Sequence, residues 1–268
     1  MMEELEKSSA LCFTMDIDWA SESAIRYAVS YFLEAGIPLT VFCTHKSAYL
    51  NELIGNGQID AGIHPNFVQP SSQGETEDEI IRFCLNVVPE TKVFRCHRWY
   101  AVNDIYEKLY AQGFRYESNI CTLLDPVRPF LHRSGMISIP VFFEDGAYLY
   151  HKLSLHFEEV QARFTVPGLK VVNVHPMHFA LNTPYFSYMR EIKDHVSRED
   201  WNRMSETELQ ALRFQGRGIA DFTRELVNHA VLQKQVVSLK DAYEKYAPSF
   251  FDGQGQRTES MRPAEEFI

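Results

Sequence analysis

Two carboxylates two residues apart, Asp16 and Asp18, close an apolar run that begins at Ala10. Positions i and i+2 of a strand point to one face, so this spacing predicts that both acids look into the same space. Such a pair holds a divalent metal, or one member holds it while the other takes a proton from water. The same fragment, Thr14-Met15-Asp16-Ile17-Asp18-Trp19, also suits an acidic turn ahead of a helix that starts near Ser21. Recurrence favours chemistry. One later apolar segment ends with His64 and Asn66, another with Arg95, His97, Arg98 and Trp99, and a third with His175 and His178. Each has an ordinary explanation alone: a turn before Pro65, an ion pair at a strand end, a helix entry. Together they are the inventory of a metal-assisted hydrolase, with an acid and imidazoles on the ion, a second acid as base and an imidazole as proton donor.

The elements that must position these groups follow from hydrophobic patterning. Strands are expected over 10–15, 39–43, 59–64, 93–96, 116–120, 137–141, 170–175 and 235–239. Helices are expected over 21–35, closed by Gly36, over 77–88, and over 103–112 with Asn103 as N-cap and Gly113 as terminator. Alternating strands and helices predict a parallel α/β sheet, and this many strands favours a closed barrel over an open one. No Gly-rich loop follows the first strand, which argues against a dinucleotide fold. In a βα architecture reacting groups gather at the C-terminal ends of the strands. The stretch 183–230 reads as mostly helical and suited to covering one side of the barrel or extending a cleft. Residues 1–250 form one expected domain, and 251–268 a polar tail.

Composition bounds the partners. The chain has 268 residues, 45% of them apolar, and a formal charge of −10 with no basic stretch to offset it. Nucleic acid and anionic membranes are therefore not expected partners. No apolar run approaches a membrane span. Residues 1–9 lack the basic and apolar regions of a secretory signal, so a cytoplasmic protein is expected. Five cysteines without a C-x-x-C pair read as reduced thiols, most of them buried.

The order Thr-x-Asp-x-Asp (14–18), Gly-x-His (62–64), Phe-Arg (94–95) and an apolar strand ending in His175 resembles the NodB-homology polysaccharide deacetylases, a carbohydrate esterase family. The segments Gly-Ile-His-Pro-Asn and Arg-Cys-His-Arg-Trp resemble in particular the divergent WbmS-like group associated with O-antigen biosynthesis. The resemblance runs from about residue 11 to 246. It implies a distorted (β/α) barrel of about seven strands with a mostly helical C-terminal part. It also implies a divalent metal, zinc first among the candidates, and a saccharide or amino-sugar precursor as substrate. By the same resemblance Asp16 is the base, Asp18 and His64 are metal ligands, Arg95 pairs with the base, and His175 protonates the leaving amine. The family's second ligand histidine falls at Val68, a departure. His97 is the first replacement, ahead of Asn66 and His178. Arg98 and Trp99, with Cys96 and His97, stand where the family has two prolines and an aromatic. Asn66, Arg98, Trp99 and His178 are the expected substrate contacts. Arg128 and Arg133 are further candidates for a phosphate, and Tyr100, Tyr185 and Phe186 for stacking on a sugar. Two other readings stay open: a small-molecule amidohydrolase, and a silent member that binds saccharide without turnover.

Overall fold

The first strand, β1 (Ser9–Asp16), is buried along almost its whole length. That pattern marks a central parallel strand covered on both faces. Around it in the computed structural model, which describes residues 2–251, lie β2 (Leu39–Cys43), β3 (Asp60–Ile63), β4 (Val93–Phe94), β5 (Tyr116–Glu117), β6 (Phe130–Leu131), β7 (Ile137–Ser138), β8 (Val141–Glu144) and β9 (Gly168–Val174). They form one curled sheet in the order β6-β7-β5-β4-β3-β2-β1-β9-β8. Every pairing is parallel except β6 with β7.

The run 137–144 joins the two ends of this sheet. Its first part, β7, pairs with β5, and Ile139 N–H reaches Glu117 O at 2.8 Å. Its second part, β8, pairs with β9, while Val141 N–H donates to Ile120 O at 2.7 Å. Pro140, which has no N–H to give, sits at the changeover. The strand expected over 137–141 is therefore two. Taking 137–144 as one stave, the sheet has the seven parallel staves of a distorted (β/α) barrel, with β6 added outside.

Alternation decides what lies inside. Leu11, Phe13 and Met15 of β1 join the large core beneath the helices. Ala10 and Cys12 instead meet Phe42, Val93, Tyr116 and Val171 in the barrel interior. The same alternation carries Thr14 and Asp16 inward at the C-terminal end. The opposite end is filled by Leu239, Ala242 and Tyr246 of the helix Leu239–Phe250. The interior is thus apolar at one end and polar at the mouth.

The helices come close to expectation. Ser21 caps Glu22–Glu34, whose Ile25, Val29 and Phe32 are buried, and Gly36 follows at φ 70°. Thr76 closes a capping box with Glu79 on Glu77–Val87. Asn103 is the first helical residue of Asn103–Ala111, not its cap; Val102 stands there without a side-chain bond. The expected strand 235–239 is also corrected. Val236 makes a single bridge to Leu11, ahead of the point where β2 begins to pair at Phe13, and Ser238 already caps the next helix. The two-residue β6 carries too little pattern to be read from sequence. The stretch 183–230 is helical at Tyr188–Lys193, Arg198–Arg203, Glu206–Leu212 and Ile219–Gln233. Among the described residues no helix is long and apolar enough to cross a membrane. The five cysteines are free, four of them buried. The tail from 252 lies outside the described residues.

Candidate active site

Arg95 follows β4 directly and is fully buried. Its Nη1 donates to Asp16 Oδ1 and Thr14 Oγ1, both at 2.9 Å, and to Asn173 Oδ1 at 2.6 Å. Its Nε and Nη2 donate to Ser118 O at 2.6 Å and Ser118 Oγ at 2.8 Å. The Phe42 ring lies 4.3 Å from the guanidinium carbon. A buried charge demands such satisfaction, since removal from water costs several kcal/mol, of order 3–5 when a partner is missing. Asn173 Nδ2 donates to Asp16 Oδ2 at 2.9 Å. Asp16 is therefore held through both oxygens and still lines the cleft at the barrel mouth.

Asp18 does not share a strand face with Asp16, because β1 ends at Asp16. Asp18 and Trp19 take left-handed φ values of 40° and 54°, and this turn brings Asp18 back over the mouth. Its Oδ1 lies 3.1 Å from both His64 Nε2 and His97 Nδ1. Burial would raise this carboxyl. The hydrogen bonds from His64 and His97 and the nearby charge of His175 outweigh burial and hold it well below the usual range. Gln73 fixes the His64 loop: its amide donates to the carbonyls of His64 and Thr44 at 3.1 and 3.0 Å and accepts from Asn66 N–H at 2.6 Å. His97 N–H donates to Pro65 O at 2.9 Å, and Trp19 packs edge-on to its ring.

The donor set Asp18, His64 and His97 fits a divalent metal. One oxygen and two nitrogens from three separate strand ends lie within 4.8 Å of one another. Around a tetrahedral ion with bonds of about 2.0–2.1 Å, ligand atoms sit about 3.3 Å apart, close to the two 3.1 Å separations. The set is the mixture of imidazole and carboxylate that zinc-like ions accept. Val68 contributes nothing to it.

His175 follows β9 on the other side of the mouth. Its Nδ1 lies 2.5 Å from Asp145 Oδ1, its N–H donates to Asp145 Oδ2 at 2.7 Å, and its Nε2 is 3.6 Å from Asp18 Oδ2. Burial would pull the imidazole down; Asp145, with Asp18 and Glu144 behind it, outweighs burial and holds it well above the ordinary histidine range. Burial pushes Glu144 up to about 7 and His178 down to about 4. Asp145, His175 and His178 form a second close group. The hydrogen bond that His175 Nδ1 donates to Asp145 occupies that nitrogen, so this group reads as an oriented imidazole.

The remaining expected residues divide. Asn66, Arg98, Trp99 and His178 all line the cleft, with Phe186. The Asn66 side-chain oxygen already accepts Val68 N–H at 3.1 Å, and His178 lies in the second group, not beside His64. Tyr100 and Tyr185 are exposed outside the cleft. Arg128 pairs with Glu6 and Arg133 with Glu107 on the surface, outside the cleft. Sequence reasoning missed Asn173, Glu144 and Asp145. The apolar run Val141-Phe142-Phe143 ends in Glu144-Asp145, so the rule of polar groups at strand ends applied there too. Asn173 stands two residues before His175, on the inward face.

Fold and site together place the chain among the NodB-type (β/α) barrels. Residues 13–193 match the WbmS-like polysaccharide deacetylase family, and the chain belongs to that family. Among solved structures, one from Bordetella bronchiseptica, assigned as a polysaccharide deacetylase involved in O-antigen biosynthesis, superposes with a TM-score of 0.72. It is 24% identical, over 83% of this chain and 91% of that one. Another, from Mycobacterium smegmatis and assigned as a polysaccharide deacetylase, gives a TM-score of 0.57 at 16% identity, over 97% of this chain and 96% of that one. At these identities the likeness is one of fold. No curated protein matches the chain.

Proposed function

We propose that this protein is a metal-dependent N-deacetylase acting on an amino sugar in a polysaccharide or O-antigen precursor. The observation that carries the reading is one mouth that gathers Asp16 and Asp18 from the end of β1, His64 and His97 from the ends of β3 and β4, and His175 from the end of β9. An ion held by Asp18, His64 and His97 would supply a more acidic attacking water and a polarised amide carbonyl. Asp16, fixed by Arg95 and Asn173, is placed to take a proton from an attacking water as the water oxygen adds to the acetyl carbon. His175, whose Nδ1 is engaged by Asp145, presents Nε2 to the mouth and delivers a proton to the amine nitrogen as the C–N bond breaks. The products are acetate and the free amine. The cleft of about 730 Å³ is far larger than a small linear amide requires, which favours a saccharide. Acetate release from N-acetylamino-sugar precursors, run beside a panel of small amides, tests the reading. Turnover of the small amides alone would transfer the protein to the amidohydrolases. Saccharide binding without turnover, unchanged in Asp16→Asn, would make it a silent binder.

The donor set is tested apart from activity. Wild-type protein reconstituted with zinc or cobalt is expected to hold one equivalent per chain by elemental analysis. Asp18→Ala and His64→Ala should each lose most of it, and His97→Ala should lose it where Asn66→Ala does not. Equal metal in all four variants would remove the assignment.

Asp145 has a distinct signature. Its carboxylate helps hold His175 above the ordinary histidine range, so the alkaline limb of the pH–rate profile, where the acid loses its proton, lies above that range. Asp145→Asn removes the charge and moves this limb to lower pH. An alkaline limb that stays in place would assign it to another group.

A further inference from the structure

A side compartment of about 270 Å³ opens beside the main cleft, and Asp18, Trp19, Lys193, Arg198 and Trp201 line both. Lys193 Nζ lies 4.4 Å from the centre of the Trp201 ring, and the Arg198 guanidinium carbon lies 6.0 Å from the centre of Trp19. Arg98 lines the main cleft nearby. All three cations are exposed. Among the described residues, no carboxylate oxygen lies within 4.0 Å of any of them. Two cations, Lys193 and Arg198, face one acid, Asp18, in the side compartment, a balance that favours an anion there in a chain with 36 acidic and 26 basic residues.

We propose that the substrate carries a phosphate ester, seated in the side compartment by Lys193 and Arg198 with Arg98 facing it along the cleft. The proposal rests on the saccharide deacetylase reading and names the class of saccharide. Asp18 borders both compartments, so the phosphate seat adjoins the mouth where the amide reacts. That adjacency suits an N-acetylated sugar that carries a phosphate ester. Arginine and lysine suit phosphate oxygens through charge-assisted hydrogen bonds. Trp19 and Trp201 wall the compartment, and the Trp201 ring supports Lys193. Both sources of such an ester, a nucleotide-linked sugar and a lipid-linked one, present the same phosphate to these cations.

The test is calorimetric binding to Asp16→Asn protein, which keeps the cleft but not the base. The probes are an N-acetylhexosamine, its 1-phosphate, its nucleoside diphosphate conjugate, a short prenyl diphosphate conjugate, the corresponding N-acetylhexosaminuronic acid and inorganic pyrophosphate. The phosphorylated probes are expected to bind at least about tenfold more tightly than the neutral sugar, an advantage that weakens with salt. Adding Lys193→Gln or Arg198→Gln should each remove about tenfold from the phosphorylated probes and leave the neutral sugar unchanged. The conjugate that binds best names the source. Equal affinity for neutral and phosphorylated sugars would overturn the proposal while leaving the deacetylase reading standing, and so would a preference for the uronic acid alone. Binding of inorganic pyrophosphate, lost in Arg198→Gln, with no binding of any sugar would uphold the anion site and sink the saccharide reading.

Discussion

Asp16→Asn is expected to yield a folded, metal-loaded protein whose turnover falls by at least about a hundredfold. General base catalysis contributes about 10² to 10⁴-fold, and an amide cannot take the proton. The substitution is not silent structurally. Asp16 accepts from Arg95 through one oxygen and from Asn173 through the other, so an asparagine must turn its NH₂ toward one of these donors. That mismatch costs about 1–3 kcal/mol, which a folded barrel tolerates. Urea unfolding and elemental analysis of the variant separate lost chemistry from lost structure. Retention of activity within about fivefold, with full metal, would remove Asp16 from the role of base.

Arg95→Met is expected to destabilise the protein by about 3–5 kcal/mol, the range for breaking a buried ion pair by deleting one partner. The side chain makes five hydrogen bonds, tying β1, β9 and the end of β5 together across the barrel interior. Methionine fills most of the space and satisfies none of those acceptors. Arg95→Lys should rescue little, because one ammonium on a flexible stem cannot span Ser118 and Asp16 at once. Urea midpoints measure the effect. A loss under about 1 kcal/mol for Arg95→Met would mean that water enters and replaces the guanidinium, and the barrel mouth would then be far more open than its burial indicates.

Much of this site is legible in the amino-acid sequence, for a local reason. In a parallel βα protein each strand delivers its C-terminal residues to one end, so polar groups closing apolar runs identify themselves. Asp16, His64, Arg95 and His175 follow from that rule. Asp145 obeys it equally, yet it escapes notice because β8 does not stand apart from β7 in the hydrophobic pattern. Their separation depends on Pro140 and on the different partners of the two halves, neither of which shows in the periodicity. The short strand β6 fails similarly: two residues contain no period.

The sequence by itself determined the parallel alternation, the helices that start near Ser21 and Glu77, and the strand ends that carry polar groups. These depend on side-chain period and on bonds within a few residues of chain. Tertiary structure alone decided which groups meet. Asp18 reaches His64 and His97 through two left-handed residues, not through strand alternation. Asn173 and Ser118 come to Arg95 only when the sheet curls far enough to bring β9 and the end of β5 around one interior. Lys193 and Arg198 reach the cleft only because the helices after β9 fold back over the mouth. Such contacts join residues far apart in the chain, and their energy is set by burial and hydrogen bonding in the closed barrel, which no short window of sequence contains.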